Sequence, residues 1–299
     1  MSNIASVAQT TTRYSEVPNL SISIDGVPIA YRELGPRKGV PIIFLNHWGA
    51  VLDNFDPRIV DALARDHRVI AIDYRGIGGS GGEAPLTVAE MADDTIKLIR
   101  AMGFDTVDLI GFSLGGFVAQ DLALKVPGLV RKLILAGTGP AGGKGIDRVG
   151  RVSWPLILKG LLTLRDPKTY LFFTSTRNGR EAAKAFLNRL KERKTDRDKG
   201  PTPTAFLRQL KAITAWGRQA PQDLGALRIP VLIANGDNDI MVPTANCRDM
   251  AKRIEDAELV IYPDAGHGGI FQNHSEFTRT ALTFLAASRR DHHTGEQAL

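Results

Sequence analysis

Leu109-Ile110-Gly111-Phe112-Ser113-Leu114-Gly115-Gly116 is an apolar run that ends in the pattern G-x-S-x-G, and Phe117-Val118-Ala119-Gln120-Asp121-Leu122-Ala123 follows it at once with helical character. A short apolar run reads as a buried strand, so the serine falls at a strand-to-helix junction. That context makes it a nucleophile elbow. The turn is too sharp for side chains at the flanking positions. It lifts the Ser113 hydroxyl clear of the sheet and leaves the backbone N–H of Leu114 to face a developing oxyanion. A serine that only capped a helix would not need glycine on both sides.

A nucleophilic serine requires a base and an acid that orients the base. Both types of residue follow downstream. The strand run Pro230-Val231-Leu232-Ile233-Ala234-Asn235 leads into Gly236-Asp237-Asn238-Asp239, and Val260-Ile261-Tyr262 leads into Pro263-Asp264-Ala265-Gly266-His267-Gly268. Each polar residue sits just past the carboxyl end of a strand, the edge at which Ser113 also sits, so the three converge although far apart in sequence. His267, between two glycines, is read as a ring held close to backbone and as the catalytic base. Asp237 and Asp239 both follow their strand and both are candidates for the acid.

From Val27 to about Ala287 the chain resembles α/β-hydrolase fold proteins of the cap-bearing esterase, perhydrolase and C–C hydrolase type. The landmarks, in family order, are Asn46-His47-Trp48-Gly49 after the strand Pro41 to Leu45, Asp73-Tyr74-Arg75-Gly76-Ile77-Gly78-Gly79-Ser80 after the strand Val69 to Ile72, the elbow, Gly236-x-x-Asp239 and Gly266-His267. The resemblance implies a mostly parallel central sheet flanked by helices, with an inserted helical cap. Its G-x-x-D spacing selects Asp239 as the acid and leaves Asp237 as a turn-former. It also implies a second oxyanion N–H from the loop after the strand Pro41 to Leu45. Here His47-Trp48-Gly49 departs from the family's usual His-Gly, so Trp48 is preferred for that role and Gly49 is the alternative. His47 is read as supporting the oxyanion site from beneath. Serine at the elbow argues against the haloalkane dehalogenase and epoxide hydrolase branches, which use aspartate there.

Gly76-Ile77-Gly78-Gly79-Ser80-Gly81 matches G-x-G-x-x-G, but a dinucleotide site needs a helix opening directly on those glycines. Here Gly82 to Pro85 intervene, and the next helix starts at Thr87 with a capping box to Glu90. The glycines therefore read as a tight loop, and no cofactor is expected.

At 299 residues, 43% hydrophobic and 23% charged, the chain has ordinary globular usage. Its single cysteine, Cys247, permits no intrachain disulfide and reads as packed. Met1 to Val17 lacks an apolar signal region and no run approaches a membrane span, so a cytoplasmic location is the expectation. The alternation of strand and helix breaks between Leu135-Ala136-Gly137-Thr138 and Pro230. The expected organisation is an N-terminal extension (1–19), a first core part (20–140), a helical cap (141–222), a second core part (223–288) and a polar tail (289–299). Lys144 to Arg218 holds 18 Lys and Arg against 6 Asp and Glu, whereas the whole chain is only +6. Glu181 to Lys199 reads as an exposed amphipathic helix, which makes the charge a solvated face. No nucleic-acid module accompanies it. The apolar residues at Trp154 to Leu162 and Tyr170 to Phe173 are expected to bury a substrate chain.

Together these readings point to a serine hydrolase with Ser113, Asp239 and His267 as triad and with N–H groups of Trp48 and Leu114 as the oxyanion hole. It would act on small-molecule esters, without nucleic-acid or membrane partners. Perhydrolysis, lactone opening and C–C cleavage use the same residues. A small-molecule sensor that keeps the triad is the alternative of a different class.

Overall fold

The computed structural model describes residues 13–287. The tail read from Arg289, with His292 and His293, and most of the N-terminal extension lie outside the described residues. Eight strands form one sheet: β1 (Leu20–Ile24), β2 (Val27–Leu34), β3 (Ile42–Leu45), β4 (Val69–Ile72), β5 (Val107–Phe112), β6 (Val130–Ala136), β7 (Val231–Gly236) and β8 (Ala257–Tyr262). Their order is β1-β2-β4-β3-β5-β6-β7-β8. β2 pairs antiparallel with both β1 and β4, and β3 to β8 are parallel throughout. β3, β4, β5 and β7 are buried along their whole length. This is why they read as continuous apolar runs, since a parallel sheet is covered on both faces. The glycine loop after β4 is followed by a helix at Val88–Ala101, N-capped by Thr87 with Glu90 closing the box as expected.

All parallel strands direct their carboxyl ends to one edge, and the order reverses between β3 and β5. Ligand sites of open α/β sheets lie at such a switch point. Between β6 and β7 the chain leaves the sheet for four helices, Val149–Leu162, Lys168–Leu171, Arg177–Arg189 and Pro203–Arg218, with no strand among them.

Two expectations for this insert are corrected. The helix expected over Glu181 to Lys199 ends at Arg189, and residues 191–202 return as an irregular segment along the core. Most cations of the insert are exposed, but Arg189 and Arg193 are turned onto the core. The Arg189 guanidinium forks onto Asp56, with Nε 2.9 Å from Oδ1 and Nη2 2.6 Å from Oδ2, and also donates to the Phe271 carbonyl. Arg197 donates to Asp53, and Arg32 on β2 bridges Asp53 and Asp198 at 2.7 and 2.8 Å. Ion pairs thus cross between insert and core in both directions, Arg189 and Arg197 meeting core carboxylates and Asp198 meeting Arg32 of the core. The second correction concerns Val149–Leu162, in which Trp154, Leu158, Leu161 and Leu162 are exposed, Leu162 by 77%. Helical spacing shows that a stripe is apolar but not which way it faces.

Removing one partner of a buried ion pair strands the other charge, at a cost of about 3–5 kcal/mol, whereas an exposed pair contributes at most about 1 kcal/mol. Asp56 is fully buried, while Arg177 and Glu181 on the same helix as Arg189 are largely exposed. Arg189→Ala is therefore expected to lower the urea-unfolding free energy by about 3 kcal/mol, and Arg177→Ala to leave it within about 0.5 kcal/mol.

Candidate active site

Ser113 occupies the first position after β5 with φ 56° and ψ −117°, a left-handed conformation costly for a residue with a side chain. Close packing imposes it. A Cβ on Gly115 would lie 2.2 Å from the Leu45 carbonyl oxygen, and one on Gly111 would lie 2.4 Å from that of Gly115. The helix Leu114–Lys125 consequently begins hard against the ends of β3 and β5, which explains glycine at both positions. The Ser113 N–H donates to the Ala136 carbonyl at 2.9 Å, and the Thr138 hydroxyl donates to the Ser113 carbonyl at 2.9 Å.

The loops after β7 and β8 bring the expected partners to this serine. His267 Nε2 is 2.9 Å from Ser113 Oγ, and its Nδ1 is 2.7 Å from Asp239 Oδ2. A carboxylate can only accept here, so Nδ1 carries the proton and Nε2 offers its lone pair to the hydroxyl. The other Asp239 oxygen accepts N–H groups of Met241 at 2.8 Å and Val242 at 2.9 Å, which fixes the carboxylate plane. Asp237 is exposed. Its Oδ1 accepts from the Ala265 N–H and the Asn238 side chain, bracing the loop in which His267 lies.

The glycines flanking His267 have a cause that the sequence did not reveal. Phe172 of the insert lays its backbone across the histidine loop and accepts the Gly268 N–H at 2.8 Å, and a Cβ on Gly266 would lie 2.7 Å from the same oxygen. The Phe172 ring meets His267, Phe112, His47 and Phe271 in one aromatic cluster. Ser113 and His267 are thereby left 5% and 1% exposed, so the relay is sealed from bulk water.

The loop after β3 brings two candidate amides to the same edge. The Gly49 N–H is already donated to Gln209 Oε1 at 2.8 Å. Among the described residues, no acceptor takes the N–H of Trp48 or of Leu114. Geometry therefore favours Trp48 over Gly49 as an available donor. The Trp48 indole stacks on Phe206 with ring centroids 4.2 Å apart and donates to the Phe206 carbonyl at 2.8 Å. His47 donates through Nδ1 to the Trp48 carbonyl at 2.8 Å. Burial, helped by the nearby Lys168 charge, pushes its pKa down to about 3, so the ring stays neutral. Cys247 is buried on the helix Ala245–Arg253 with its thiol pKa pushed up to about 12 by burial, a packed rather than reactive sulfur.

Sequence reasoning missed Arg189 and Gln209, and it read Phe172 only as part of an apolar stretch for substrate. None lies in a motif, and each acts by reaching across from the insert.

The sequence profile of the alpha/beta hydrolase fold matches residues 40–274, and the chain belongs to that family. Its backbone is similar to an alpha/beta hydrolase fold protein from Chitinophaga pinensis, with TM-score 0.87 and 34% identity over 93% of this chain and 100% of the other. The Rhizobium rhizogenes protein named carbamate hydrolase RutD is 26% identical over 76% of this chain and 86% of its own length. The 2-hydroxy-6-oxo-6-(2'-aminophenyl)hexa-2,4-dienoic acid hydrolase of Metapseudomonas resinovorans is 26% identical over 89% and 90%. Among the described residues no helix is long and apolar enough to cross a membrane.

In the unfolded chain His47 titrates near its ordinary value of about 6.5, whereas in the folded protein it resists protonation down to about 3. Between those values the unfolded state binds the extra proton. The contribution is thus intact above about pH 6.5 and is lost as pH falls towards 3. Unfolding free energies measured from pH 7 to 4 should decline, by up to about 1.4 kcal/mol per pH unit from this group, and His47→Gln should flatten that decline.

Proposed function

We propose that the protein is a serine hydrolase that cleaves carboxylic esters of small apolar substrates through an acyl-enzyme. The observation that carries this reading is the unbroken relay Ser113 Oγ, His267 Nε2, His267 Nδ1, Asp239 Oδ2, with contacts of 2.9 and 2.7 Å. In this reading His267 takes the Ser113 proton as Oγ attacks the carbonyl carbon, and Asp239 stabilises the imidazolium that results. The N–H groups of Leu114 and Trp48 receive the oxyanion, aided by the positive end of the helix Leu114–Lys125. The imidazolium then protonates the departing alcohol. Water, deprotonated by the same histidine, attacks the acyl-enzyme and releases the acid. Residues 141–222 act as the cap that excludes other water from the reaction.

A cleft of about 680 Å³ opens beside the histidine loop; Leu156, Tyr170, Leu171, Phe173 and Ile240 form its apolar side, and Lys159, Arg165, Arg180 and Asp264 also line it. Its apolar side supports an acyl or alkyl group as the bound portion, with the cations standing beside it. The names of the relatives, a carbamate hydrolase and a hexa-2,4-dienoic acid hydrolase, support hydrolysis at a coarser level than an ester substrate.

The mechanism is tested by a fluorophosphonate probe with mapping of its attachment site. Ser113 is the expected site, and Ser113→Ala should stay folded with its esterase activity essentially gone. Label on another serine, or full activity in the alanine variant, rules the mechanism out. Asp239→Asn should depress kcat on the order of 10⁴-fold, whereas Asp237→Asn should be mild.

Substrate choice is expected to follow apolar fit in the cleft. Each buried methylene contributes about 0.8 kcal/mol, roughly fourfold in specificity until the cleft is full. For p-nitrophenyl esters kcat/KM should rise with acyl length and then fall. A preference for anionic esters that collapses with added salt would instead assign selection to the insert's cations.

A further inference from the structure

Gln209 lies on the helix Pro203–Arg218, is wholly buried, and belongs to no motif. Its Oε1 accepts the Gly49 N–H at 2.8 Å. The orientation of the amide is forced, because the opposite flip would set two donors against each other. Its Nε2 is buried with no hydrogen-bond partner in the protein. As a packing device this arrangement gains little. One net hydrogen bond contributes about 0.5–1.5 kcal/mol, whereas a buried unpaired donor costs about 1–3 kcal/mol. Stability alone therefore does not account for glutamine at this position.

What the bond does is local to the oxyanion loop. One turn before Gln209, Phe206 stacks on Trp48 and accepts its indole N–H, and the Phe206 ring closes the space in which a Cβ on Gly49 would lie. Gly49 itself has φ +70°. One helix thus holds two successive loop residues by a ring, a carbonyl and an amide oxygen. The Trp48 N–H, in the peptide just before the anchored pair, is the one left without an acceptor among the described residues.

We propose that Gln209 is a positioning residue that engages the Gly49 N–H and so sets the Trp48 N–H towards Ser113, making the oxyanion hole complete only while the helix Pro203–Arg218 is seated. This deepens the serine-hydrolase reading and rests on it for its kinetic consequence. Gln209 touches no reacting atom. Its effect falls on the transition state, where the oxygen carries charge, more than on ground-state binding.

The test uses the full chain with Gln209→Met, which keeps the volume and removes the amide oxygen, and Gln209→Glu, which keeps an acceptor for Gly49. With p-nitrophenyl acetate, Gln209→Met should lose about 10- to 100-fold in kcat, the scale of a misplaced catalytic group, with KM little changed. Gln209→Glu should recover most of the loss. Hydrogen–deuterium exchange of the peptide spanning residues 46–52 should quicken in Gln209→Met and return towards the native rate in Gln209→Glu. A folded Gln209→Met protein with native kcat overturns the inference, as does a loss that Gln209→Glu does not repair. If the native protein fails to hydrolyse esters, the hydrolase reading falls. The exchange arm then decides the clamp by itself, and unchanged protection overturns it.

Discussion

The turn at Ser113 is the constraint on which the rest of this molecule depends. A left-handed φ on a residue with a side chain costs of order 1–3 kcal/mol and persists only where the surroundings over-determine it. Here they do: β3, β5 and the helix Leu114–Lys125 meet so closely that glycine is required at 111 and 115. The first helical turn can then abut the strand ends, and the hydroxyl stands at the edge to which β7 and β8 deliver Asp239 and His267. The parallel sheet turns distant sequence positions into a single line of hydrogen bonds.

Much of this was legible in the sequence, for a physical reason. Strands buried on both faces must be apolar throughout, so β3, β4, β5 and β7 stood out as runs. The polar residues ending them were visible against that background. Ser113, Asp239 and His267 each interrupt an apolar pattern at a point where only a turn fits. The helical insert obeys no such rule. A cation that is solvated and one that forks onto a buried carboxylate look identical in sequence, so Arg189 could not be told from Arg177. Trp154 and Leu162 satisfy helical spacing whether they face the sheet or solvent. Gln209 carried no signal at all, because its importance lies in which backbone N–H it meets across a tertiary contact.

The insert and the core are complementary in charge as well as in shape. Asp53 and Asp56 follow directly from the oxyanion loop, and the guanidinium groups of Arg32, Arg189 and Arg197 gather on them. The segment 191–202 accordingly runs along the core without helical hydrogen bonds of its own. Its order comes from those ion pairs and from Arg193, which donates to the Val17 carbonyl. A few of the insert's cations therefore serve docking, while most of them stay at the surface.

The near-complete burial of Ser113 and His267 carries a kinetic consequence. With Ser113 5% and His267 1% exposed, any small molecule that reaches the pair does so only if part of the cover over it lifts. The hydrogen bond from Gly268 to Phe172 and that from Gly49 to Gln209 fasten the roof at opposite ends of the reacting line. The insert is thus held over Ser113 and His267 at two separate backbone amides, one beside the histidine and one in the loop after β3.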